Sequence, residues 1–170
     1  MADTTTLGWS ICRFSGRIPR VLFENLWDRL YARDLIVSQE TGNSRRLRVL
    51  LVDDLPADTK VMAKLLEMHG CCVRTCNDPF QCVELARQFE PHLVLLDIMM
   101  PGKSGTEVAK DLLATDLPPF LLVARTGLSD ASTKAKCAEA GFNLVVIKPQ
   151  SSSAIADLVR VAKRFAFAGQ

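Results

Sequence analysis

Five short apolar runs, unbroken rather than alternating with polar residues, constrain the fold of this chain more than any other feature. They are RVLLV at 48–52, CCVRTC at 71–76, LVLLD at 93–97, PFLLVA at 119–124 and NLVVI at 143–147. A strand with one face in water alternates apolar and polar residues, so continuous runs require cover on both faces. The segments between them have helix length. In DTKVMAKLLEMHG, Val61, Leu65 and Met68 recur on one helical face and Gly70 is placed to cap the carboxyl end. DPFQCVELARQF opens with Asp78 and Pro79, an N-cap followed by a first-turn residue. Residues 104–114, 129–140 and 151–165 repeat the theme, with Ser129 and one of the serines at 151–153 as N-caps. Five strands alternating with five helices predict an α/β fold: a five-stranded parallel sheet, doubly wound, with helices on both faces.

The chain falls into two regimes, an extension over residues 1–45 and an α/β domain over 46–168. The net charge of +2 in 170 residues is unevenly placed, since residues 1–47 hold seven Arg against five acids while the remainder is balanced. Neither part has the basic excess that binding a phosphate backbone needs, so no nucleic-acid affinity is expected. The start, MADTTTLGWS, lacks the basic and apolar regions of a signal peptide, and no run of about 18 apolar residues occurs, so a cytoplasmic chain is expected.

Four of the six cysteines, Cys71, Cys72, Cys76 and Cys82, crowd together near His69, but none has CxxC spacing. With Val73, Val83 and Leu85 around them they read as core thiols of a reducing compartment rather than as metal ligands.

Ligands of a doubly wound sheet bind outside the carboxyl ends of its strands, so the residues just after each run carry the chemistry. The first run leads into Asp53 and Asp54, the third ends in Asp97, the fourth leads to Thr126, and the fifth delivers Lys148 and Pro149. Three carboxylates at one sheet edge repel, so they either share protons or recruit a hard cation, and Mg²⁺, which takes oxygen ligands, suits such a set. Gly102, Lys103 and Ser104 imitate the end of a P-loop, but Asp97 stands where that motif needs its first glycine.

In order and separation, RVLLVDD, DIMMPGKSG, ARTG and VVIKP resemble the receiver domain of two-component response regulators. The likeness covers about residues 46–168. It implies a flavodoxin-like sheet of order 2-1-3-4-5, Mg²⁺-dependent phosphorylation of Asp97 by a histidine kinase or histidine phosphotransfer protein, and output through binding to a downstream protein. By the same resemblance Asp54, Asp97 and the backbone carbonyl of Met99 ligate the metal, and Asp53 acts partly through water. Lys148 and the Thr126 hydroxyl contact phosphoryl oxygens, Pro101 and Gly105 shape the turn after the acceptor, and the Lys148–Pro149 bond is cis.

Two positions depart from that pattern. Val145 stands where many receivers have a mobile aromatic ring, and Arg125, whose charge is expected to reach solvent or the phosphate region, stands where a small or apolar residue is usual. Because the chain ends after the last helix, a stand-alone receiver is expected rather than an enzyme. A phosphatase of related architecture would need a second acid where Met99 stands. The alternative is a degenerate receiver that acts as a phosphorylation-independent scaffold.

The extension carries its own pattern. From about residue 19 to 37 it reads as an amphipathic helix, with Leu22, Phe23, Leu26, Trp27, Leu30 and Tyr31 on one half of the wheel and a linker, SQETGNSRR, behind it. Such a face is expected to pack on its own receiver, to form a homodimer, or to dock on another protein. The acids Glu24, Asp28 and Asp34 argue against a membrane surface. The face of the fourth and fifth helices offers a second route to a homodimer.

Overall fold

The computed structural model describes residues 9–11, 46–127 and 130–167. The helix expected over residues 19–37 and the linker after it lie outside these.

Strands β1 (Trp9–Ile11), β2 (Arg48–Val52), β3 (Cys72–Cys76), β4 (Leu93–Asp97), β5 (Leu121–Thr126) and β6 (Leu144–Ile147) form one sheet in the order β1-β6-β5-β4-β2-β3. The five from β2 to β6 are parallel and follow the expected 2-1-3-4-5 order. The sixth was not anticipated: β1 runs antiparallel to β6, with Trp9 opposite Val146 and Ile11 opposite Leu144. Three residues are too few for a periodic signal, so nothing in the sequence marks them as a strand.

Helices α1 (Pro56–Met68) and α5 (Ser152–Phe167) cover one face, and α2 (Cys82–Phe89), α3 (Gly105–Leu113) and α4 (Ala131–Ala140) cover the other. Side chains alternate between the two layers along each strand. Leu121 and Val123 of β5 meet Ile155 and Leu158 of α5, while Leu122 and Ala124 meet the layer of Val108 and Cys137. The residues of β4 and β5 are all buried, as their unbroken apolar runs require. At the far edge, β3 buries only Cys76, so Cys72 is exposed rather than part of the core.

Helix ends follow local chemistry. Gly70 adopts a φ of +78°, its N–H reaches the Glu67 carbonyl, and the Cys71 N–H reaches Leu66, which closes α1 in a Schellman arrangement. The Asp78 carboxylate accepts from the Phe80 N–H and starts a single 3-10 turn, Pro79–Gln81, that leads into α2. Ser104 and Glu107 form a reciprocal capping box on α3. Asp130, not Ser129, caps α4, because its carboxylate takes both the N–H and the hydroxyl of Thr133. Ser151 receives the Ala154 N–H ahead of α5.

The buried face of α1 also differs from expectation. Thr59, Met62 and Leu66 point inward, whereas Val61 and Met68 are exposed. The segment VMAKLLEM carries two apolar stripes about one residue apart, and the inner one includes a polar Thr59 whose hydroxyl bonds the Pro56 carbonyl. Periodicity alone cannot choose between stripes so offset.

Candidate functional site

Asp53, Asp97, Arg125 and Lys148 all lie on the α1/α5 face of the sheet, at the carboxyl ends of their strands. Strand alternation puts them there: Asp53 follows Val49 and Leu51, Asp97 follows Leu93 and Leu95, and Lys148 follows Leu144 and Val146. Carboxylate oxygens of Asp53, Asp54 and Asp97 all lie within 4.8 Å of one another, and they are the group among the described residues that could hold a metal ion. Asp53 is fully buried, Asp97 nearly so, and Asp54 half-buried. An all-oxygen set of this kind fits a hard cation such as Mg²⁺.

Lys148 bridges two of the acids. Its Nζ donates to Asp53 Oδ2 at 2.7 Å and to Asp97 Oδ2 at 2.8 Å. Burial pulls the ammonium pKa down, but the hydrogen bonds to Asp53 and Asp97 outweigh it and leave the pKa raised. The Lys148–Pro149 bond is cis, as expected, and the Lys148 N–H holds the Thr126 carbonyl at 2.8 Å.

The loops around the acids are pinned by their own hydrogen bonds. Asp53 Oδ1 accepts from the Leu55 N–H at 3.0 Å, and Asn77 Nδ2 donates to the Asp53 carbonyl at 2.7 Å and to Thr59 Oγ1 at 3.2 Å. Asp97 Oδ1 faces the Met99 N–H at 3.4 Å. Thr126 ends β5, buried on the other face, in line with Leu122 and Ala124. Val145 is buried in that same layer. Met99 has an exposed side chain.

Of its two expected destinations, solvent and the phosphate region, Arg125 takes the second and reaches the acid pocket. It is 5% exposed, and its Nη1 sits 3.3 Å from Asp53 Oδ2 while its Nε donates to Gln150 Oε1 at 3.3 Å. Burial lowers its pKa, against the opposing pull of Asp53 and Asp97. The signal was present in the pattern, since residue 125 shares a strand face with Leu121 and Val123, which points inward. Lys103 of the Gly-Lys-Ser stretch is engaged elsewhere, paired to Asp111 and lying over the Phe80 ring. Cys71, Cys76, Cys82 and Cys137 are buried free thiols, and no cysteine or histidine joins a metal-capable group among the described residues.

This sheet order, with a cluster of acids answered by a lysine at the carboxyl ends of its strands, defines a doubly wound α/β domain with a candidate cation site. Residues 49–160 match the family model of the response regulator receiver domain, and the chain belongs to that family. It is 33% identical over 129 residues to Ethylene receptor 2 of Oryza sativa subsp. japonica, covering 73% of this chain and 17% of that protein. It is 31% identical over 123 residues to the DNA-binding response regulator MtrA of Mycolicibacterium smegmatis, covering 72% of this chain and 53% of that protein. The chain thus spans about half or less of these curated relatives. Among solved structures it resembles a CheY-like receiver domain protein from Methanospirillum hungatei JF-1, with a TM-score of 0.67, 20% identity, and coverage of 74% of this chain and all of that one. The BeF3-activated N-terminal receiver domain of Klebsiella pneumoniae RstA gives a TM-score of 0.63 at 26% identity, covering 69% of this chain and 98% of that one.

Proposed function

We propose that this chain is a phospho-accepting receiver whose residue Asp97 takes a phosphoryl group from a phosphohistidine on a histidine kinase or histidine phosphotransfer protein. An Asp97 carboxylate oxygen bonds to phosphorus as the N–P bond of the donor breaks, and the imidazole leaves with that electron pair, protonated from solvent. The observation that carries this reading is the Lys148 ammonium held against both Asp53 and Asp97. An ammonium so placed can follow charge from a carboxylate onto a phosphoryl oxygen without reorganising.

Asp53, Asp54, Asp97 and the Met99 carbonyl would hold Mg²⁺, which when bound supplies charge neutralisation for the incoming phosphoryl oxygens. The Thr126 hydroxyl completes the set as a neutral donor that follows the phosphate. Output is by protein–protein binding through the face of α4 and α5, either to a downstream protein or to a second copy of this chain. With Val145 in place of a ring, the conformational change there is small. The division into an extension over 1–45 and a receiver over 46–168 belongs to this reading, as does a cytoplasmic location. Among the described residues no helix is long and apolar enough to cross a membrane. The presence of all five polar groups at one sheet edge speaks against a phosphorylation-independent scaffold.

The test is intact mass after incubation with a small acyl-phosphate donor. One added phosphate is expected, dependent on Mg²⁺ and lost in Asp97→Asn. An adduct that forms at full rate in EDTA, or in the Asn variant, contradicts the proposal.

A further inference from the structure

Arg125 is a second cation in a pocket whose proposed chemistry needs one. By strand alternation its position belongs to the apolar layer of Leu121 and Val123, and the β4–β5 register sets it directly opposite Asp97. Its side chain borders a small cavity with Met62, Leu95, Val146 and Gln150, so its stem lies among apolar groups and its head is aimed at the acids. A guanidinium is stable there only with partners, and those it has are Asp53 and Gln150.

The consequence falls on Asp53. Its Oδ2 already receives both Lys148 and Arg125, and its Oδ1 receives the Leu55 N–H, so three of the roughly four acceptor sites of the fully buried carboxylate are filled from within the chain. The charge balance shifts as well. Three carboxylates against Lys148 alone leave two negative charges for a divalent ion, whereas with Arg125 they leave one. Each fixed positive charge a few ångströms from the ion's place opposes its entry.

We propose that Arg125 is a built-in competitor of the divalent cation: by holding Asp53 it weakens Mg²⁺ binding, and metal uptake requires the Arg125–Asp53 pair to loosen. This rests on the metal reading of the same pocket. Gln150, already bonded to Nε, is the neighbouring acceptor that keeps the guanidinium partnered as Asp53 turns to the ion or its water.

The test is Mg²⁺ titration of the full chain by calorimetry and by the amide shifts of Asp54 and Met99, with thermal melts to confirm folding. Arg125→Met and Arg125→Gln, both neutral, are expected to bind Mg²⁺ about ten-fold tighter than wild type, a change of about 1.4 kcal/mol. Arg125→Lys keeps the charge and is expected to stay within about three-fold of wild type. A purely structural ion pair predicts lower stability in the neutral variants with no gain in affinity, and that result overturns the inference while leaving the metal reading intact. Absence of binding in every chain overturns both.

Discussion

The Cα of Gly105 stands so close to the Asp97 carbonyl that a Cβ built there would lie 2.0 Å from the oxygen and 2.8 Å from the Ile98 Cα. The Gly105 N–H also bonds the Ile98 carbonyl at 3.0 Å, so α3 begins pressed against the loop that carries the acceptor. Both obstacles are backbone and cannot rotate away. Gly105→Ala is therefore expected to cost about 2–4 kcal/mol and to slow phosphorylation by displacing Asp97. Urea denaturation with intact-mass kinetics checks this, and wild-type stability in the variant would contradict it.

Lys148 ties Asp53 to Asp97, and Lys148→Met leaves that pair of acids with Arg125 alone. A loss of about 1–2 kcal/mol at pH 7 is expected, discounted for the partial solvent access of the ammonium. The pH dependence has a definite sign. The folded pKa is raised, so the stabilisation is complete below the ordinary lysine value of 10.5 and disappears as pH rises through the folded value. Denaturation curves of the two chains should keep a constant separation from neutral pH to mildly basic pH and converge only above the ordinary value. Convergence on acidification instead would assign the effect to another group.

Asp54 is half-buried and has no ion pair among the described residues, yet it lies within reach of two other carboxylates. Without metal it contributes mainly repulsion, and Asp54→Asn is expected to stabilise the chain by about 1 kcal/mol. The same substitution should weaken Mg²⁺ binding more than Asp53→Asn does. Chemical denaturation in EDTA and calorimetric titration check the two halves separately.

Thiol reactivity should follow burial. Cys72 on the edge strand is exposed, whereas burial raises the Cys71 pKa, and the hydrogen bond with Cys76, aided by burial, raises that of Cys82. Brief alkylation followed by peptide mass mapping is expected to label Cys72 well before Cys71, Cys82 or Cys137. Equal labelling of Cys82 would mean that the α2 side opens readily.

The acids and Lys148 were legible because each directly follows an apolar run, and a parallel sheet sends all such positions to one edge. For Arg125 two destinations, solvent and the phosphate region, stayed open because residue type and strand parity disagree just past the end of its run. Parity, set by Leu121 and Val123, decided the outcome. For α1, two apolar stripes one residue apart left the buried face undetermined, and tertiary contact with the sheet selected Met62 and Leu66. Asp130 displaced Ser129 as a cap because a carboxylate can take two bonds from Thr133 where a hydroxyl has less to offer. β1 left no trace, since strand addition at an edge is made by backbone groups and asks little of side chains.

The pairing of Trp9–Ile11 with Leu144–Val146 joins the two strands farthest apart in sequence, so its loop-closure entropy is the largest of any pairing in the sheet. The parallel strands can assemble without it, and it cannot form until β6 is in place. On these grounds β1 is expected to dock last in folding and to open first in the native state, with its amides exchanging hydrogen faster than those of β2 to β6. While it is docked, the outer hydrogen-bonding groups of β6 are taken, which removes an edge along which two copies could otherwise zip together.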